Sequence, residues 1–184
     1  SVGHVSLIRI HRFSSKMVCV DEDVNKHFAN IANSIKQDST IANKVNSLLI
    51  MGGSWLAGGN ISPVAEANIY NDPEAAEIVF KSGLPIIMVG LDVTHKVFLS
   101  QKDIDKLSSL NNSGKFLKKI SNIYMKFYKD TRNMDGCFFH DATAVIAMTN
   151  PEFFKYKFAR VYVSQENLTR GQTVVYLKDL EHET

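Results

Sequence analysis

Along this chain, apolar positions recur with two alternating periods. In VNKHFANIANSIKQ, Phe28, Ile31, Ala32 and Ile35 fall at helical spacing, and the run SLLIM from Ser47 to Met51 then predicts a buried strand. A Gly-rich loop follows. Asp72-Pro73-Glu74 supplies an N-cap, a proline at the first helical position and an acid in the first turn, so a helix is predicted over AAEIVFKS, closed by Gly83. Leu84 to Leu91 is apolar at consecutive positions, as in a strand covered on both faces of a parallel sheet. Phe116, Ile120, Ile123, Tyr124, Phe127 and Tyr128 trace one face of a long helix, and a shorter helix is expected from near Asp141. Strands around Phe158 to Ser164 and Thr173 to Leu177 flank the turn-prone Thr169-Arg170-Gly171. Interleaved helices and strands predict an α/β fold.

Composition narrows the class. With 184 residues, 45% hydrophobic and 22% charged, the chain suits one soluble domain with an apolar core. Lys and Arg number 21 against 19 Asp and Glu, so no single-sign field draws nucleic acid or an anionic membrane. The two cysteines, Cys19 and Cys137, lack CxxC spacing, which argues against a zinc site or disulfide framework and fits a reducing, cytoplasmic compartment. Apolar runs such as Leu84 to Leu91 are too short to span a bilayer, and SVGHVSLIRIHRFSSK has no long apolar signal region. The absent initiator Met and the abrupt close at LEHET raise the expectation that the chain is one piece of a larger design.

In an open α/β sheet, ligands bind beyond the carboxyl ends of the strands, which directs attention to the loop after Met51. There, Gly52-Gly53-Ser54-Trp55-Leu56-Ala57-Gly58-Gly59-Asn60 leads into Ile61-Ser62-Pro63-Val64-Ala65-Glu66-Ala67-Asn68. The glycines allow close backbone approach to a ligand, although such a loop also serves simply to turn the chain. Asn60, Glu66 and Asn68 offer amides and a carboxylate that accept from and donate to vicinal hydroxyls, which suits a sugar. Neither GKS/GKT nor a GxGxxG opening directly into a helix is present, so phosphate is not indicated. Glu66 and Asn68, two apart, would point the same way on an extended segment. Trp55 has two readings, stacking on a base or packing on the core, and Asp92 and His95 likewise stay open.

The string IMGGSWLAGGNISPVAEANIYNDPEAA, from Ile50 to Ala76, resembles the inosine-uridine-preferring nucleoside hydrolases through its GGN, P-V-A-E-x-N and D-P-E-A-A elements. The resemblance continues through Gly90 to His95, Tyr124 to Arg132, Phe139-His140-Asp141, Ala144-Val145 and Arg170 to Thr173, with Asn30-Ile31-Ala32 upstream, and covers roughly Asn25 to Val175. It implies a Rossmann-like α/β fold, with an open, mostly parallel sheet and helices on both faces, incomplete at both ends. Residues 25–184 would form a partial nucleoside hydrolase domain behind an unrecognised leader, residues 1–24.

The implied activity is hydrolysis of the N-glycosidic bond of purine and pyrimidine ribonucleosides to ribose and free base, in nucleoside catabolism. Asn60, Glu66 and Asn68 match residues that hold the ribose hydroxyls, and Met51 matches one at the sugar pocket. Asp141 matches a carboxylate ligand of a calcium ion, and Asn25 falls near a position whose backbone carbonyl also binds it. His140 matches the histidine that protonates the departing base, a role open to imidazole near neutral pH. Tyr124, Tyr128 and Arg132 lie on the helix bordering the base pocket.

Departures from the family pattern bear on activity. The acidic D-x-D-x-G-x-D-D loop that delivers most calcium ligands and the water-activating base is not found, and Asp21-Glu22-Asp23 reads as a solvated turn. Tyr176 stands where the family usually has an aspartate. Missing strands would expose apolar edges such as Leu84 to Leu91, inviting a partner, for example a second copy of the chain, or misfolding. Two readings follow: a nucleosidase using a nucleoside and calcium, or a non-catalytic homologue that binds ribosides weakly or acts only in assembly.

Overall fold

The computed structural model describes residues 5–9, 16–18 and 27–177. Two compact units emerge, Ser1–Val93 with Asp141–Thr184, and Thr94–His140. In the larger unit, a five-stranded mixed sheet has the order β2 (Lys16–Val18), β3 (Ser47–Met51), β4 (Ile86–Val89), β1 (Val5–Arg9) and β7 (Phe154–Phe158). Every neighbouring pair is parallel except β1 with β4, where Ile8 faces Met88. The segment read as a leader therefore supplies two strands of this sheet. That corrects the expected exposed edge: β4 lies between β3 and β1, and Ile86, Met88 and Val89 are buried.

Alternation along β3 and β4 sends side chains to both faces. On one, Leu48, Ile50, Ile86 and Met88 pack against Phe28 and Ala32 of α1 (His27–Gln37), Ile69 of α3 (Ala67–Asn71), and Val79 and Phe80 of α4 (Pro73–Lys81). On the other, Leu49 and Val89 meet Ala144 and Ala147 of α8 (His140–Thr149). Helices thus cover both faces. The sequence signals around α4 hold: the Asp72 side chain accepts from the Ala75 amide, Pro73 opens the helix, and Gly83 beyond its end has φ +77°. A short helix, α2 (Ile41–Lys44), precedes β3, while β8 (Arg160–Val163) and β9 (Thr173–Tyr176) pair antiparallel around the Thr169–Gly171 turn.

In the smaller unit, β5 (Phe98–Ser100) and β6 (Gly136–Phe138) pair antiparallel beside α6 (Gln101–Leu110) and α7 (Asn112–Arg132). Ser100 and Asp103 form a reciprocal capping box that starts α6. The buried face of α7 carries Gly114, Ser121, Met125 and Tyr128, with Leu117 packed beside them. The expected face is mostly outside it: Phe116 is 63% exposed and Ile123 82%. Small residues explain the choice, since Gly114 lets α7 approach the backbone of Leu107 in α6 where a Cβ would collide. Among the described residues, no helix is long and apolar enough to cross a membrane.

Candidate functional site

The Gly-rich loop leaves β3 and reaches the turn after β4, where Gly90 lies so near Gly53 that a Cβ would stand 2.8 Å from the Gly53 carbonyl oxygen. α5 (Leu91–Thr94) begins there, and the Leu91 amide donates to that same carbonyl at 2.9 Å. Each loop amide from Gly53 to Ala57 then donates to a side chain. Gly53 bonds Glu66 Oε2 at 3.0 Å and Ser54 bonds Thr173 Oγ1 at 2.8 Å. Trp55, Leu56 and Ala57 all bond the Asp92 carboxylate, at 2.6, 2.7 and 3.0 Å. Vacant amides of this kind would cradle an anion. Here the protein's own oxygens occupy them, in agreement with the absence of a phosphate fingerprint.

The residues matched to ribose binding come together around this loop. Glu66 is 2% exposed and caps α3, with Oε1 accepting from the Asn68 amide at 2.9 Å and Oε2 from those of Gly53 and Ile69 at 3.0 and 3.2 Å. Asn68 Nδ2 donates to the Met51 carbonyl at 3.2 Å and approaches Met51 Sδ at 3.4 Å. Asn60 Oδ1 accepts from the Ala67 amide at 2.9 Å. The expectation that Glu66 and Asn68 lie on an extended segment is corrected: Glu66 is the N-cap and Asn68 sits in the first helical turn, because the carboxylate satisfies amides that a starting helix leaves free. Burial pushes the Glu66 carboxyl above its usual range, against the three amide bonds that favour its ionised form, and Asp141 adds a smaller upward push.

In the smaller unit, His140 Nδ1 pairs with Thr94 Oγ1 at 2.7 Å and Nε2 with the Tyr128 hydroxyl at 3.3 Å. Tyr124 and Tyr128 hydroxyls lie 3.3 Å apart, and the Arg132 guanidinium stands 5.4 Å from the Tyr128 ring centroid. Burial, with the charges of His95 and Arg132, lowers the His140 pKa from 6.5 to about 4, so the imidazole is neutral at pH 7. Asp141 begins the rest of α8 and is exposed. Asn25 and Asp21-Glu22-Asp23 lie outside the described residues. Among those described, no group of three or more His, Cys, Asp or Glu side chains comes together that could hold a metal ion. The described donors by themselves therefore fall short of the roughly six to eight oxygens that a calcium ion takes.

Other quoted motifs serve as ties. Arg170 bonds Glu74 through both guanidinium nitrogens at 2.8 and 3.2 Å, joining the R-G-Q-T and D-P-E-A-A elements. Gly171, at φ +74°, packs on Tyr70 where a Cβ would stand 2.5 Å from its Cα. Glu77 accepts from the Val163 amide at 2.8 Å, fastening α4 to β8. Trp55 packs at the rim of the large core, with the Lys157 ammonium 5.6 Å from its ring centroid. The sequence does not single out Thr94 or Thr173, and it leaves Asp92 open between a site role and a structural one. Their signal lay only in membership of G-L-D-V-T-H and R-G-Q-T.

The family model described as inosine-uridine preferring nucleoside hydrolase matches residues 27–184. The chain is 40% identical over 150 residues to uridine nucleosidase 1 of Arabidopsis thaliana, covering 79% of this chain and 44% of that one. To probable uridine nucleosidase 2 of Oryza sativa subsp. japonica it is 39% identical over 145 residues, covering 78% and 43%. Among solved structures, a plant nucleoside hydrolase superposes with TM-score 0.79 at 33% identity, over 85% of this chain and 50% of that one. A purine-preferring ribonucleoside hydrolase from Gardnerella vaginalis gives 0.74 at 34%, with the same coverage. The chain spans about half the length of these relatives.

Proposed function

Because the chain belongs to the inosine-uridine preferring nucleoside hydrolase family, we propose that it serves hydrolysis of the N-glycosidic bond of purine and pyrimidine ribonucleosides, yielding ribose and free base. The observation that carries this reading is the cluster of Asn60, Glu66 and Asn68, whose bonded atoms leave a complementary set facing no described partner. Asn60 uses its carbonyl oxygen and keeps its amide donor. Asn68 uses its amide and keeps its carbonyl acceptor. Glu66 spends three of roughly four lone-pair sites on amides and keeps about one for a hydroxyl. One donor beside two acceptors matches a vicinal diol.

Cleavage leaves a cation-like sugar and a base carrying negative charge, by analogy with glycoside hydrolysis. The family resemblance assigns protonation of the leaving base to His140, whose ring nitrogens meet Thr94 and Tyr128. Its imidazole is neutral at pH 7, so it would first take up a proton from solvent, which negative charge growing on the leaving nitrogen favours, and then hand it to that nitrogen. The family resemblance also brings calcium, which would position and acidify water. Asp141 supplies one carboxylate toward such an ion, too few for a site by itself. The buried Cys137 thiol supports a reducing, cytoplasmic setting.

Calorimetric titration of the 184-residue protein with inosine checks the ribose assignment. Inosine is expected to bind at least about tenfold more tightly than 2′,3′-dideoxyinosine, and Glu66→Ala to weaken inosine by a similar factor, the scale of one hydrogen bond to a charged group. Equal affinity for the two ligands would remove the vicinal hydroxyls from the recognition.

A further inference from the structure

We propose that Asp92 is a positioning residue, which braces the Gly53–Asn60 loop through backbone amides and thereby sets where the Asn60 side chain stands beside Glu66 and Asn68. The inference rests on the ribose reading of that cluster. One carboxylate takes three successive amides, Trp55 on Oδ2 and Leu56 and Ala57 on Oδ1, across 35 to 37 residues of sequence. The loop is tied on either side of this stretch. Upstream, Thr173 holds both the amide and the carbonyl of Ser54. Downstream, the Gly59 and Asn60 amides donate to Pro63 and Ala65 carbonyls.

Over Trp55 to Gly58, Asp92 makes the only hydrogen bonds found among the described residues. The segment has little else to hold it, since Leu56 is 76% exposed and Ala57 and Gly58 are also exposed. Gly58, at φ +73°, and Gly59 give the chain between this brace and Asn60 wide conformational freedom. Without the carboxylate, water satisfies the exposed Leu56 and Ala57 amides, the part-buried Trp55 amide loses its partner, and the loop samples other paths. Asn60 then loses one of the two ends that fix its backbone. Asp92 itself is anchored by the close Gly90 to Gly53 approach and by the Leu91 amide on the Gly53 carbonyl. The turn after β4 thus dictates the shape of the loop after β3.

The double-mutant cycle of Asp92→Asn and Asn60→Ala in the 184-residue chain, read by inosine affinity, separates this role from simple stabilisation. Asp92→Asn keeps the shape but places an NH2 where an acceptor is needed. Each single change is expected to weaken inosine by about tenfold, with the double variant no weaker than Asn60→Ala alone. Amide exchange at Leu56 and Ala57 should quicken, and the Asn60 side-chain amide resonance should shift. Additive losses, or an unmoved Asn60 resonance, overturn the proposal. If the unaltered chain binds no inosine, the ribose reading fails, and the Asn60 resonance alone decides whether Asp92 positions it. Should Asp92→Asn not fold, Asp92→Glu, which keeps the charge and displaces it by one methylene, replaces it with the same expected outcomes.

Discussion

The hydroxyl of Thr173 accepts from the Ser54 amide at 2.8 Å and donates to the Ser54 carbonyl at 2.5 Å, so one side chain closes both backbone groups of a buried residue 119 positions away. Both residues are 4% exposed. Thr173→Val keeps the shape and strands both groups away from water. It is expected to lower stability by about 1–3 kcal/mol for each unsatisfied group, whereas Thr173→Ser, which keeps the hydroxyl, avoids most of that loss. Urea unfolding at pH 7 measures both, and a valine variant as stable as the parent would show that the tie is dispensable.

Gly59 and Gly83 should differ in what an alanine costs. At Gly59, a Cβ would run into the backbone of Ser62 and Ala65, so the loop carrying Asn60 must open. At Gly83, nothing lies within 4 Å and only the positive φ of +77° opposes the change. Gly83→Ala is expected to cost about 1–2 kcal/mol, and Gly59→Ala more, together with weaker inosine binding. Thermal melts and titrations of the two variants side by side give the comparison, and the reverse order would contradict the packing described for Gly59.

Acid should weaken the fold through His140. Its folded-state pKa of about 4 lies below the unfolded value of 6.5, so the unfolded chain binds the proton more readily. The contribution of the neutral ring is intact above pH 6.5 and is lost as pH falls from there toward 4. His140→Gln lacks this group and is expected to show a flatter decline in urea midpoint between pH 7 and pH 4.5. Parallel curves for the two proteins would mean that His140 titrates normally.

Calcium is expected to confer no turnover on the 184-residue chain. Asp141 is exposed, and no metal-holding cluster occurs among the described residues, so ion affinity is poor and no described carboxylate is poised to activate water. Chromatography of inosine and uridine reactions, with millimolar calcium or with chelator, should show equal base release. Calcium-dependent release abolished by Asp141→Ala would falsify this, and would place further ligands in residues 19–26 or on a second copy.

Much of the fold was legible because its signals are local. The Asp72-Pro73 start and Gly83 end of α4, the five apolar or small residues of β3, and the 3.6-residue spacing of α1 each involve neighbours within about four positions. The ribose-binding candidates were legible for the same reason, since Asn60, Glu66 and Asn68 lie within one short stretch.

Tertiary structure decided the rest. Amphipathicity announced α7, but which face is buried depended on α6 approaching at Gly114 and on Met125 and Tyr128 packing with Cys137 of β6, which left Phe116 and Ile123 outside. A five-residue helix such as α3 has too few positions for a period, so the sequence reads Asn68 as extended, whereas only Glu66 keeps extended backbone and its carboxylate on three amides starts the helix that holds Asn68. The strands in residues 5–9 and 16–18 gain their place only by pairing with β3, β4 and β7. Asp92 and Thr173 meet their amides across 37 and 119 residues. Spacing along a chain records contacts a few residues apart, while a hydrogen bond between distant segments exists only once folding has brought them to within 3 Å.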